Sequence, residues 1–196
     1  MTNDFNTRDV QKRIYINLDN FNDVIDFTMR FADKCRQRGI PFYFKTSNMT
    51  GGPSSIMPMN LTRDESLVIY SGNEYLAEYT NICNEIRAET NMSFKAPPVL
   101  TGVLDGFMGY GSEPNRGRRE SYNSLRSNLL AEAINRTNQE FMNRYQNYDI
   151  NAILNSIRKN SQEYQNYLNS LYTNIINLSS SYGIDPNNFF LNTGGS

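Results

Sequence analysis

From Arg13 the chain alternates, with Ile14, Ile16 and Leu18 apolar and Tyr15 and Asn17 standing between them. A period of two sends every second side chain to the same face, so Arg13 to Leu18 reads as a strand. The period then changes: Phe21, Val24, Ile25, Phe31, Ala32 and Cys35 recur at helical spacing. Asp19 or Asn20 can cap the start of that helix, Arg36 and Arg38 suit the negative end of its dipole, and Gly39 suits the position just past its end. Ile40 to Lys45 is a second strand, in which Pro41 is tolerable only near the start or on an edge. Strand, helix and strand in succession form a β-α-β unit, so the two strands run parallel or are separated by another strand.

Ser66 to Tyr70 is a third strand, and Asn73 can cap a second helix with the stripe Leu76, Tyr79, Ile82, Cys83 and Ile86. Two helices on one face of a small sheet is the natural packing. Between these parts, Thr46 to Thr62 has no period and carries Gly51, Gly52, Pro53, Pro58 and three methionines; it reads equally as a flap beside a site or a plain surface loop. Ala96 to Gly117 opens with Pro97 and Pro98 and continues with five glycines, which reads as one short strand followed by a glycine-rich loop. Beyond it the pattern is helical. Ser121 to about Tyr145 carries Leu125, Leu129, Leu130, Ala133, Ile134 and Phe141, and Asp149 can cap a long helix running through Ile153, Ile157, Leu168 and Ile175 to Gly183. Asp185-Pro186 then turns the chain. The expected fold class is α+β: a small sheet with a β-α-β unit and packed helices, followed by a helical C-terminal half with two long helices. One domain over 1–196 is expected, an α/β part at 13–117 and a helical part at 118–192.

Charge narrows the partners. The formal net charge is −1, so no global field draws the protein to nucleic acid or to a membrane, and an anion site must be a local cluster of Lys and Arg. Most Tyr and Phe residues fall on helical stripes, which makes them core and not a base-stacking platform. Met1 to Val10 does not resemble a secretory signal, and no apolar run reaches the ~20 residues of a membrane helix. A cytoplasmic protein is expected, with export by a specialised secretion machine left open. Cys35 and Cys83 lie on apolar stripes and read as buried thiols. Histidine is absent, which removes imidazole acid–base chemistry, His-activated nucleophiles and His-ligated metals. Metal chemistry is possible through Asp and Glu, but no spaced acidic cluster calls for it.

Three places remain for chemistry. Lys45 ends an aromatic strand beside Phe42, Tyr43 and Phe44; partial desolvation there would make it a usable base, and full hydration would leave it an ordinary strand-end lysine. Arg63, in Arg63-Asp64-Glu65, can grip an anion with two donors or simply open a strand as part of a solvated charge run. Gly109-Tyr110-Gly111-Ser112 precedes Arg116, Arg118 and Arg119 and a helix bearing Tyr122 and Arg126; a glycine-rich loop entering a helix start offers backbone N–H groups to an anion. It is neither a dinucleotide fingerprint, for want of a third glycine, nor a P-loop, for want of Gly-Lys-Ser/Thr.

Taken in order, Tyr-Ile-Asn-Leu (15–18), Ile-Pro-Phe-Tyr-Phe-Lys (40–45), Arg63-Asp64 before Leu-Val-Ile-Tyr (67–70), the glycine-rich stretch, Ser-Tyr-Asn-x-x-Arg (121–126) and Tyr-Gly-Ile-Asp-Pro-x-x-Phe-Phe-Leu-Asn (182–192) resemble the Hop-type (outer protein A) effector family of type III secretion. The lyase components of class V lanthipeptide synthetases are relatives of that family. The resemblance implies β-elimination of phosphate from phosphoserine or phosphothreonine in a peptide, giving a dehydroamino acid. It casts Lys45 as base, Arg63 and Arg126 as the first phosphate contacts with Arg118 or Arg119 in support, and Tyr70 or Tyr122 as proton or hydrogen-bond donor. The implied partner is a peptide or protein, phosphorylated at its reactive residue, and no metal or organic cofactor is implied. A non-catalytic module holding such a partner is the alternative. An assembly protein, oligomeric through the stripe from Ile153 to Ile175, is a third reading.

Overall fold

A computed structural model describes residues 10–46, 66–114, 121–144 and 161–193. The chain divides into two compact units, one ending at Glu113 and the other running from Pro114 to Gly195.

The first unit is built on β1 (Lys12–Ile16), whose alternation buries Ile14 and Ile16 completely. Asn20 ends the turn that follows and caps α1 (Phe21–Arg38), its side chain accepting the Asp23 N–H at 2.9 Å. Gly39 closes α1 in the left-handed conformation, φ 66°, donating to the carbonyls of Arg36 and Cys35. Strand β2 (Tyr43–Thr46) follows, then β3 (Leu67–Ser71), a 3₁₀ turn at Asn73–Tyr75 and α2 (Leu76–Glu89). Asn73 does not cap α2 as expected. It sits inside the 3₁₀ turn, where its N–H donates to the Gln11 side chain at 3.2 Å. A short hairpin of β4 (Gly102–Val103) and β5 (Met108–Ser112) completes the sheet, turning at Gly106 with φ 60°.

The strand order is β2-β3-β1-β5-β4, with every neighbouring pair antiparallel. Since β1 and β2 are each antiparallel to β3, they point the same way with β3 between them, one of the two arrangements the β-α-β pattern allows. Ile14, Ile16, Leu67, Ile69 and Met108 from the sheet pack with Val24, Phe27, Phe31 and Cys35 of α1 and Tyr79, Ile82, Cys83 and Ile86 of α2. Burying Phe27 and Phe31 favours this core by about 1.5–3 kcal/mol each. The expected stripe of α1 is corrected at one position: Ile25 is exposed, and Phe27, one turn before Phe31, takes the core place.

The second unit contains α3 (Tyr122–Arg144) and α4 (Gln162–Tyr182). They share a core of Leu125, Leu129, Ala133, Leu178 and Ile184, with Leu171 and Ile175 packed against it. The expected helix from Asp149 to Gly183 is not continuous. Ser161 is extended, φ −70° and ψ 158°, and its hydroxyl accepts the Tyr164 N–H, so α4 starts afresh there. Asp149 lies outside the described residues. Gly183, φ 68°, ends α4, and the Asp185 side chain accepts the N–H groups of Asn187 and Asn188 in the following turn.

Candidate functional site

The sheet has two unlike faces. One carries the core with α1 and α2. The strand alternation sends Arg13 and Tyr15 of β1, Tyr43 and Lys45 of β2, Val68 and Tyr70 of β3, and Gly109 and Gly111 of β5 to the other. Tyr70 is where these side chains meet, because Arg13 and Tyr43 are its register partners on either side. The Arg13 guanidinium lies 5.0 Å from the centre of the Tyr70 ring and Lys45 Nζ 5.5 Å from it. Tyr43 packs against the same ring at 5.2 Å between centroids. Two cations on one phenol ring draw on the negative potential of its face.

Arg13 is oriented by Glu113. Its Nη2 donates to Oε1 at 2.6 Å and its Nε donates to Oε2, a bidentate pair. Glu113 is fixed in turn just beyond β5, where its N–H donates to the Gln11 carbonyl at 2.8 Å. Burial opposes the charge on Arg13, but the bond and attraction to Glu113 outweigh it and leave the guanidinium harder to deprotonate than usual. Next along β1, Lys12 is buried with its Nζ donating to Ser112 Oγ at 3.0 Å, and desolvation lowers its pKa.

Of the residues singled out from sequence, Lys45 and Tyr70 come together on this face. Lys45 itself is exposed, so the expected shielding by Phe42 and Phe44 does not occur: those two rings point to the α1 side and pack against Phe31. The glycine-rich stretch is also corrected. Gly109 to Ser112 is strand β5, paired along its length with β1, and not an anion-binding loop. Gly109 has a packing reason: a Cβ there would collide with Thr101 Oγ1 and crowd Pro97, whose segment crosses it.

Tyr122 and Arg126 come together in the second unit, one helical turn apart on α3. The Arg126 guanidinium lies 3.9 Å from the centre of the Tyr122 ring, and its Nε donates to the Phe189 carbonyl at 3.1 Å. The whole Arg126 side chain is buried. Arg63, Arg118 and Arg119, like the expected flap over 47–62, lie outside the described residues. Among the described residues no group of three Cys, Asp or Glu side chains could hold a metal ion, and no helix is long and apolar enough to cross a membrane.

Sequence reasoning missed Arg13, Glu113 and Lys12. The signal for Arg13 was present in the alternation of β1, which sets it opposite Ile14 and beside Tyr15; the partner at Glu113 becomes visible only with the β1–β5 register.

The family model for the HopA1 effector protein family matches residues 2–191. No curated protein matches the chain.

Proposed function

The chain belongs to the HopA1 effector protein family, and we propose that it acts on a phosphorylated peptide or protein of a host cell, eliminating phosphate from phosphoserine or phosphothreonine. The observation that carries this reading is the placement of Lys45 Nζ 5.5 Å over the Tyr70 ring, with Arg13 on the same ring. A β-elimination needs a base at the α-carbon and positive charge where the phosphate departs. In this reading the Lys45 side chain takes the α-proton. The C–H electron pair becomes the new Cα–Cβ double bond, and the Cβ–O bond breaks with its own electron pair going to the departing inorganic phosphate. Tyr70 stands beside the amine as hydrogen-bond donor, a role the family resemblance also allows to Tyr122. The family resemblance offers Arg63 and Arg126, supported by Arg118 or Arg119, as phosphate contacts; Arg126 is described within the second unit, where its side chain is buried. No redox partner is needed, since substrate and products balance without one.

A second reading, a module that binds phosphorylated protein without chemistry, is favoured by the exposure of Lys45, because a base in water gains nothing from its surroundings. One experiment separates the two. The protein is incubated with a phosphoserine peptide and the products are weighed by mass spectrometry. Loss of the elements of H3PO4 without regained water supports the lyase, and Lys45→Ala then lowers the rate by about 100-fold or more while peptide affinity changes little. Turnover by Lys45→Ala at the wild-type rate refutes the assignment of the base. Binding with no mass change leaves the second reading standing.

A further inference from the structure

We infer that the phosphorylated segment binds as an added antiparallel or parallel strand along the outer edge of β2, with its phosphorylated residue opposite Lys45; this rests on the reading that Lys45 acts on a phosphopeptide. Among the described residues β2 is an edge, with β3 as its one neighbour in the sheet. An edge strand presents a row of backbone N–H and C=O groups to a chain of the same kind, and extended peptides use such edges in many complexes.

The side-chain pattern of β2 states what that chain should be. Tyr43 and Lys45 stand on the face of Tyr70, while Phe44 stands on the α1 face and is half-buried there. In an added strand the residue opposite Lys45 projects to the same face, with its Cβ about 5 Å from that of Lys45. A residue carried there lies beside the Lys45 side chain, on the face where Lys45 and Arg13 both approach the Tyr70 ring. Residues immediately before and after the phosphorylated one project to the opposite face, one of them opposite Phe44 and the other opposite Thr46. The occupant is therefore an extended peptide with a phosphorylated Ser or Thr and an apolar, preferably β-branched, residue on the side that meets Phe44. The competing account of Lys45 is protective: lysine on an edge strand and proline before it are common guards against unwanted strand pairing.

The test uses the full chain and a short acetylated and amidated peptide with a central phosphoserine flanked by valines. Two further versions carry backbone N-methyl groups, one on every odd position and one on every even position. Only one of these series faces β2 in an added strand. Affinities are measured by fluorescence anisotropy. The inference expects one methylated series to lose roughly 10-fold or more in affinity, through its missing main-chain hydrogen bonds, and the other to stay within about 2-fold of the parent. Replacing the valines by glycine should weaken binding further. Equal affinities for the two methylated series overturn the strand mode while leaving the phosphopeptide reading intact. Failure of the unmethylated peptide to bind overturns both and makes Lys45 an edge guard.

Discussion

Arg13 shares a strand with two fully buried isoleucines and yet faces away from them, because successive side chains of β1 leave the sheet on opposite sides. Its neighbours are Tyr70 across one ladder and Gly111 across the other. Glu113, two residues past that glycine, supplies the carboxylate. A partly buried, bidentate pair of this kind is worth more than an exposed one, and breaking it from one side leaves the other charge short of a partner. Arg13→Ala should therefore lower the unfolding free energy by about 2 kcal/mol. Arg13→Lys should cost about 1 kcal/mol, because an ammonium keeps the charge and loses the planar fork. Urea denaturation followed by circular dichroism measures both. If Arg13→Ala unfolds at the wild-type midpoint, the pair contributes nothing and Tyr70 is held by packing alone.

At the scale of elements, what the sequence made legible was local. The caps at Asn20, Gly39 and Gly183 act within a few residues of themselves, and each can be read from residue type and position. The stripes of α1 and α2 follow from helical periodicity, apart from the exchange of Ile25 for Phe27. The β4–β5 hairpin was not legible, because Gly109 and Gly111 advertise turns until β1 is known to lie beside them. The break at Ser161 was hidden for a different reason: an apolar stripe carries its rhythm across a serine, and only the capping bond to Tyr164 reveals a new start. For the site, Lys45 and Tyr70 could be named, but their pairing is set by the β2–β3 register, which no single segment contains. The pairing of α3 with α4 has the same non-local character, with a polar seam beside its apolar core. Asn174 donates to Thr137 Oγ1 at 3.0 Å and to Glu140 Oε1 at 3.1 Å, while Ser170 donates to the other Glu140 oxygen and Tyr182 to Glu132 at 2.7 Å. Asn174 is buried, so its loss leaves acceptors on α3 without their donor. Asn174→Ala should cost about 1–3 kcal/mol, and Asn174→Leu should recover no more than part of that, since it restores volume and not donors. Thermal melts of the two variants check this; a leucine variant more stable than wild type would show that the seam serves register and not stability.

Across the molecule the missing histidine has a consequence of its own. No other side chain ordinarily changes charge between about pH 5 and 8. The shifted carboxylates and thiols move away from that window, to either side. Asp19 is lowered by the Ser93 hydroxyl, Glu85 by Arg38, Glu132 by Tyr182, Glu140 by Ser170 and Asp185 by the Asn187 N–H. Each binds its proton more weakly folded than unfolded, so its stabilising contribution is present above the ordinary carboxylate range and is lost as pH falls through the lowered value. All five are solvent-facing, so each contribution is small. On the alkaline side, burial pushes the Cys35 thiol up to about 12 and raises Cys83 and Tyr79 as well. These groups keep their protons longer when folded, so stability begins to fall once pH passes the ordinary thiol value near ~8.5. Lys12 works in the opposite sense. Its lowered pKa means that the unfolded chain holds the extra proton, so its burial penalty fades as pH climbs toward its ordinary 10.5. Two thiols and a phenol outnumber one lysine, and the net alkaline slope should be downward. The expected profile is a plateau between about pH 6 and 8, a shallow decline below about pH 4 and a steeper one above about pH 9. Denaturant midpoints at closely spaced pH values give the curve directly, and Lys12→Met separates its parts: removing the opposing group should steepen the alkaline limb and leave the acid limb unchanged. An alkaline limb that becomes shallower in Lys12→Met would reverse the sign argued for that lysine, and a marked slope between pH 6 and 8 would mean that some other group in the fold titrates where histidine normally does.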